Sequence, residues 1–374
     1  MEGHVIKRGK NYSIVYDIGR DPMTGKRKQK WETVKGTKRD ADRVLRERLR
    51  NIEMGTYVQP TKITVGEYLK QWIENYQSNL SPRSFERYEA IIRRHLIPDP
   101  NLGSKLLTQL RPEDIQKHYT TKLKEGLSAN TVRYHHAVLH IALDTALKWG
   151  LLFRNPADAV TPPRKHRTEM QTWDEYEIPC YLESVKDKPY YVLFHLALFT
   201  GMRRSELLAL RWQDIDIPQG QVYVSRGLHQ LRDGSYIFTE PKSAKSRRTI
   251  ALPPQTIQVL KEHHELQKLE RSMVGIKLTE DVLVFSTPEG KPFRPNTVTN
   301  AWKRLANRAD LKPIRLHDAR HSHASIMFKQ DTHPKIVQER LGHSSIQVTL
   351  DTYSHIAPGM QEAAADRFGE LFDH

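Results

Sequence analysis

The chain is short of cysteine, of acid and of long apolar runs. One cysteine, Cys180, stands in 374 residues. It has no partner for an internal disulfide and cannot supply a thiolate zinc cluster. No apolar run is long enough for a membrane-spanning helix. The opening MEGHVIKRGK lacks the apolar core of an export signal, so a cytosolic chain is expected. Asp and Glu number 44 against 59 Lys and Arg, a net charge of +15. Such an excess implies a polyanionic partner, nucleic acid or an anionic membrane face. Without an export or membrane segment, nucleic acid is the expected one. Hydrophobic residues make up 38%, so cores form beneath a very polar surface. The length suits two or three domains.

The first sixty residues hold 15 Lys/Arg and 8 Asp/Glu, so +7 of the +15 is concentrated there. NYSIVYDIG alternates Tyr12, Ile14, Tyr16 and Ile18, the period of a half-buried strand. RDPMTGKR supplies turn residues, KQKWETVK reads as a returning strand, and a helix from Thr37 aligns Ala41, Val44, Leu45, Leu49 and Ile52. A basic sheet carrying one helix is expected over 1–58. Basic residues crowd its turn and flanks, which favours a DNA-binding module over a merely solvated face.

GTYVQPTK reads as a linker, and four helices are expected over 62–160. Thr64 and Glu67 form a capping box, and Ser81 precedes Pro82 at a helix start. The fourth helix carries Val138, Ile141, Ala142, Thr145 and Trp149 at helical spacing. His135, His136 and His140 share it and read as surface or packing residues, since no carboxylate shares their spacing. A helical bundle says nothing specific about function. NPADAVTPPRKHRTEMQTW, 155–173, is Pro-rich and basic and is expected to be a flexible connector.

The region 171–374 begins with an apolar helix, turns at Gly201 and enters a helix carrying Glu206, Leu207, Leu208 and Leu210. GQVYVSRG, GSYIFTEPK and SRRTIAL are strand candidates, and helices follow. The fold class expected is therefore α+β multidomain, with a mainly α last domain holding a small antiparallel sheet. Charge gathers here at separated places: Arg203 and Arg204, Lys242, His317 with Arg320 and His321, His343, and Tyr353 ten residues later.

The segments TGMRRSELLALRW, PKSAKSRRTI, HDARHSHAS, LGHSS and TLDTYSH occur in that order. They resemble the signature segments of tyrosine recombinases of the phage-integrase type. The resemblance covers 171–374. The two preceding regions resemble the arm-binding and core-binding domains of integrases from phages and conjugative elements. It implies a site-specific DNA recombinase that cuts and rejoins strands through a 3′-phosphotyrosyl intermediate. It also implies a tetramer on DNA from monomers in solution, core and arm attachment sites, an excision factor, a host DNA-bending protein, and residence in the bacterial cytosol with the nucleoid. No metal, nucleotide or other cofactor is implied.

The chemistry fits these residue types. Cutting DNA without losing bond energy needs a covalent phosphoryl-enzyme, and a phenol can attack phosphorus and later leave. Fixed arginine forks stabilise charge on the non-bridging oxygens. In the family's pattern Arg203 and Arg320 are the clamps, and Lys242 is the general acid for the 5′-oxygen. His317 resembles the proton acceptor, His343 a donor to the phosphate, and Tyr353 the nucleophile. Lys245 competes with Lys242. Arg204 is left as a surface or DNA-backbone contact. Glu206 either orients Arg203 or is an ordinary exposed helix glutamate. His321, His323 and His355 read as packing or phosphate contacts. The family more often has Leu at the Ala319 position and Thr at the Ser322 position.

Three other readings compete. A non-catalytic DNA-binding regulator needs none of the six site residues. A metal-dependent nuclease would use His317, Asp318, His321 and His323, but Arg320 in the same turn repels a cation and no carboxylate pair stands near. A type IB topoisomerase shares the tyrosine chemistry, but the two preceding DNA-binding regions and the tail favour recombination. In the tail, Met360, Ala364, Phe368 and Leu371 form one apolar stripe. Docking on a neighbouring protomer is favoured over packing on its own domain.

Overall fold

The computed structural model describes residues 3–9, 11–20, 25–54, 61–165, 170–240 and 247–353, with positions 365, 368 and 372 in the tail. Two compact units divide the chain, Met1–Arg167 and Thr168–His374.

In the first unit β1 (Gly3–Arg8), β2 (Asn11–Arg20) and β3 (Arg27–Val34) form an antiparallel sheet in that order. Period-two alternation puts Tyr12, Ile14, Tyr16 and Ile18 on the face that packs α1 (Lys38–Glu53), around Ala41 and Leu45. Thr37 and Asp40 close a capping box at the start of α1, each serving the other's backbone N–H. On the opposite face Trp31 pairs across from Val15, is 52% exposed, and lies beneath the Arg8 guanidinium at 4.9 Å.

Four helices follow: α2 (Val65–Tyr76), α3 (Pro82–Ile91), α4 (Pro112–Lys124) and α5 (Ala129–Lys148). Thr64–Glu67 and Ser81–Pro82 start α2 and α3 as expected. Leu69, Trp72, Ile92, Leu96, Val138, Leu139 and Leu143 fill the core between them. One expectation for α5 needs correcting. Trp149 falls just past the helix end and is half exposed, because the last turn of α5 closes at Lys148. His135 packs, fully buried, in a chain of side chains that reaches a carboxylate through His118. Its Nδ1 faces His118 Nε2 at 3.2 Å, and His118 Nδ1 faces Asp99 at 2.6 Å. Tertiary contact also gives His140 a carboxylate, Asp158, at 2.8 Å.

The stretch 155–173, expected as a flexible connector, is tied down at both ends. Asn155 Oδ1 accepts from Ala157 N–H, and Ala157 and Val160 join the helical core. Trp173 belongs to the core of the second unit. Residues 166–169, and 55–60 of the earlier linker, lie outside the described residues.

The second unit opens with α6 (Glu177–Val185), α7 (Tyr191–Thr200) and the single turn α8 (Arg204–Leu207). β4 (Ile215–Asp216), β5 (Gln221–Val224) and β8 (Arg248–Ala251) form one antiparallel sheet, and β6 (Gly227–Gln230) pairs with β7 (Tyr236–Thr239) in a hairpin. β6 is absent from the sequence reading because GLHQ has no apolar alternation to detect. Helices α9 (Pro254–Met273), α10 (Pro295–Arg308), α11 (Asp318–Lys329), α12 (Pro334–Leu341) and α13 (Ile346–Tyr353) complete it. Trp173 and Trp302 stack at 5.0 Å in its core. Their indole N–H groups donate to the Lys312 and Ile314 carbonyls, which fixes the extended segment leading into α11. No helix among the described residues is long and apolar enough to cross a membrane.

Candidate active site

Four short pieces of the second unit meet at one place: the end of α7, the start of α11, the α12–α13 turn and the end of α13. Helix α7 stops at Gly201, whose φ of 64° is left-handed. A Cβ there would stand 2.7 Å from the Leu341 side chain, so glycine is needed for both conformation and space. Two residues on, Arg203 caps α8. Glu206 accepts from the Arg203 N–H at 2.8 Å and from its guanidinium at 2.7 Å.

At the start of α11, Asp318 accepts from Arg315 N–H and from both arms of the Arg315 guanidinium at 2.8–2.9 Å. That clamp sets the turn carrying His317, which sits exposed at the helix N-cap. Arg320, one turn in, is only 3% exposed. Its two arms donate to the Gly201 carbonyl at 2.8 Å and the Leu341 carbonyl at 2.6 Å. Arg203 reaches the next carbonyl, Gly342, at 3.5 Å. The two guanidinium groups thus converge on the turn that ends α12.

That turn delivers His343, whose Nδ1 pairs with Thr349 Oγ1 at 2.8 Å. Tyr353 ends α13 and is fully buried, its ring stacked on Phe328 at 5.7 Å and parallel to His343 at 6.4 Å. Its hydroxyl pairs with His321 Nδ1 at 2.7 Å. His317 stands edge-on to His321, 5.3 Å between centroids. Arg203, Arg320, His343 and Tyr353 are therefore brought together, with His317 beside His321 at the rim. Lys242 and Lys245 lie in 241–246, outside the described residues, as do His355 and Met360, Ala364 and Leu371 of the tail stripe.

Burial and cationic neighbours decide the protonation states. Burial opposes charge on Glu206, but Arg248 and Arg203 outweigh it and hold the carboxyl down at about 2. Burial, then the Arg203 charge, pushes Arg320 down to about 9, so it remains a cation at neutral pH. Burial lowers His343 to about 3 and His321 to about 4, reinforced for His343 by Arg320 and Arg203. His317 is lowered by desolvation and by Arg320. Burial lifts the Tyr353 phenol to about 12, against the pull of Arg320 and Arg203. Two cationic forks and neutral imidazoles around one phenol suit an anion such as a phosphodiester.

Some expectations are corrected here. Arg204, expected as a surface or DNA-backbone contact, also has an internal role: it donates to the Pro295 carbonyl at 3.1 Å and Thr299 Oγ1 at 2.6 Å, tying α8 to α10. Glu206, left open between two readings, is 8% exposed and holds two arginines. The quartet His317, Asp318, His321 and His323 does not converge. Arg315 occupies Asp318, and the Leu198 carbonyl and Arg340 Nε occupy the two ring nitrogens of His323.

Arg248 was missed altogether. It is buried in β8, grips Glu206 with both arms at 2.8 and 3.2 Å, and donates to the Arg340 carbonyl at 2.7 Å. Its parity with buried Ile250 in SRRTIAL was the available signal. The contact between His321 and the phenol was missed too, and no spacing rule predicts it.

Known proteins share this chain's sequence family and its fold. Residues 173–360 match the Phage integrase family, and 64–124 match its N-terminal SAM-like domain. A tyrosine recombinase XerC-like protein of Caldanaerobacter subterraneus is 30% identical over 98% of both chains. The ICEBs1 integrase of Bacillus subtilis is 28% identical over 96% of this chain and 97% of its own. Among solved structures, the Tn1549 transposon integrase in complex with a circular-intermediate DNA superposes with a TM-score of 0.70 at 21% identity. It covers 83% of this chain and 100% of its own. A lambda integrase tetramer bound to a Holliday junction gives 0.60 at 17% identity over 95% of each chain.

The class is thus a DNA strand-transferring enzyme, a tyrosine site-specific recombinase. The chain belongs to the phage integrase family.

Proposed function

We propose that this recombinase integrates and excises a mobile element, with Tyr353 as nucleophile and Arg203, Arg320 and His343 holding the scissile phosphate. The observation that carries the reading is the convergence of both arginines and His343 on the turn beside the one phenol at the end of α13. Tyr353 Oη attacks phosphorus, the bond to the 5′-oxygen breaks, and the protein keeps the 3′-phosphate. Lys242 gives the 5′-oxygen its proton, and His317 is the acceptor of the phenol's proton in the family's pattern. Attack by a 5′-hydroxyl reverses the step and releases the phenol. The phosphotyrosyl bond stores the energy of the cut, so no high-energy cofactor is required.

The remaining roles follow the same reading. The basic sheet of 1–58 takes arm-type DNA, the helices of 62–160 take core-type DNA, and 171–374 performs the chemistry. Four protomers assemble on DNA from monomers, with an excision factor and a host bending protein setting direction, in the bacterial cytosol. Support for the DNA partner comes from the charge of +15 and from relatives solved on DNA. The test is a nicked suicide substrate carrying the attachment core, with EDTA present. The wild type should form a covalent adduct, and Tyr353→Phe should bind the DNA without forming one. Adduct from the Phe variant, or loss of adduct in EDTA, sinks the reading.

A further inference from the structure

We infer that His321 is the group that removes the proton from Tyr353 during strand cleavage and returns it during rejoining. The inference rests on Tyr353 being the nucleophile. The observation is contact: His321 Nδ1 lies 2.7 Å from the phenol oxygen. His343 has its Nδ1 engaged by Thr349, and its ring lies flat against the tyrosine ring, a packing geometry. His317, the acceptor in the family's pattern, meets His321 edge-on, and among the described residues the phenol's hydrogen bond is to His321 instead. A base must reach the proton it takes.

The surroundings suit the role. His321 is one residue past Arg320, so the helix that clamps the phosphate also carries the base. Burial keeps the imidazole neutral, which leaves Nδ1 free to accept when Nε2 carries the hydrogen. The titratable and charged groups facing it are Tyr353 from α13, His343 from the α12–α13 turn, His317, Asp318 and Arg320 from the start of α11, and Arg315 just before it. Asp318 is already paired with Arg315, so it does not compete for the proton.

The step balances without a co-reactant. The Tyr353 O–H bond breaks as the O–P bond forms, and the proton goes to His321 Nδ1. The P–O5′ bond breaks, and the 5′-oxygen takes its proton from the general acid. On rejoining, the departing phenolate recovers the proton from His321. A phosphodiester anion entering between the arginines and the phenol favours the imidazolium, so the acceptor strengthens as substrate arrives.

The experiment uses the full chain and the suicide substrate. His321→Ala and His321→Asn are compared with His317→Ala, each after DNA binding and thermal stability match the wild type. The expected result is a 10²–10⁴-fold loss of adduct formation in the His321 variants, the usual range for a general base (~10²–10⁴). Below the phenol pKa their rate should also rise tenfold per pH unit. Incorporating a fluorinated tyrosine that ionises near neutral pH at position 353 should restore the His321 variants at least tenfold and leave His317→Ala unchanged. Adduct formation within threefold of wild type in both His321 variants overturns the inference. So does a loss that the fluorinated tyrosine does not repair, which assigns His321 to packing. Adduct from Tyr353→Phe would instead overturn the nucleophile assignment itself.

Discussion

Glu206→Gln removes one charge and keeps the side chain's shape. The carboxylate holds Arg248 in a two-armed pair and Arg203 through both backbone and guanidinium. Its pKa falls from the ordinary 4.5 to about 2 on folding. That depression corresponds to about 3 kcal/mol at neutral pH. Breaking a buried ion pair from one side costs roughly 3–5 kcal/mol, the same scale. At roughly 2–4 °C per kcal/mol for a domain of this size, the melting transition of the second unit should fall by roughly 6–12 °C.

The pH dependence has a definite sign. A depressed carboxyl stabilises fully above its unfolded pKa, and the contribution is lost as pH falls through the folded value. The gap between wild type and Glu206→Gln should therefore be complete above about pH 5 and narrow to about 1 kcal/mol at pH 3. Urea unfolding of the full chain at pH 7 and pH 3 measures it. A gap below about 1 kcal/mol at pH 7, or one of equal size at both values, refutes the argument.

Other consequences can be checked alongside. Gly342 has φ of 67°, and a Cβ there would meet Arg248 Cδ and Nη1 at 3.0 Å. Gly342→Ala should cost about 1–2 kcal/mol from the backbone and lower cleavage by displacing Arg248, read from a urea titration and the adduct assay. His321, His323 and His343 titrate lower folded than unfolded. Stability should therefore be full above about pH 6.5 and decline toward pH 4, less steeply in His321→Asn. Arg8 lies over the exposed Trp31, so Arg8→Ala should flatten the log–log salt dependence of arm-site binding by about 0.9 and leave cleavage of a core substrate intact. An unchanged slope would remove Arg8 from the DNA contact.

How much of this was legible depended on whether the signal was local. Thr37, Thr64 and Ser81 start helices because a side-chain oxygen reaches an N–H three residues on, and the sequence displays that spacing. Tyr12 to Ile18 announces a strand because side chains alternate by backbone geometry. Trp149 failed because periodicity does not say where a helix stops. β6 failed because its pairing, not its composition, makes it a strand.

The site shows the same division. The order of charged segments, the fold class and the recombinase family were determined by the sequence, since each rests on short motifs whose residues act through their own chemistry. Tertiary structure decided who touches whom. Arg320 holds the carbonyl of Gly201, 119 residues away, and Arg248 holds Glu206, 42 away. His321, read as a packing or phosphate contact, meets Tyr353 across 32 residues. A buried charge needs a partner within about 3 Å, and which partner arrives is set by how α7, β8, α11, α12 and α13 pack, a many-body outcome that no local pattern encodes.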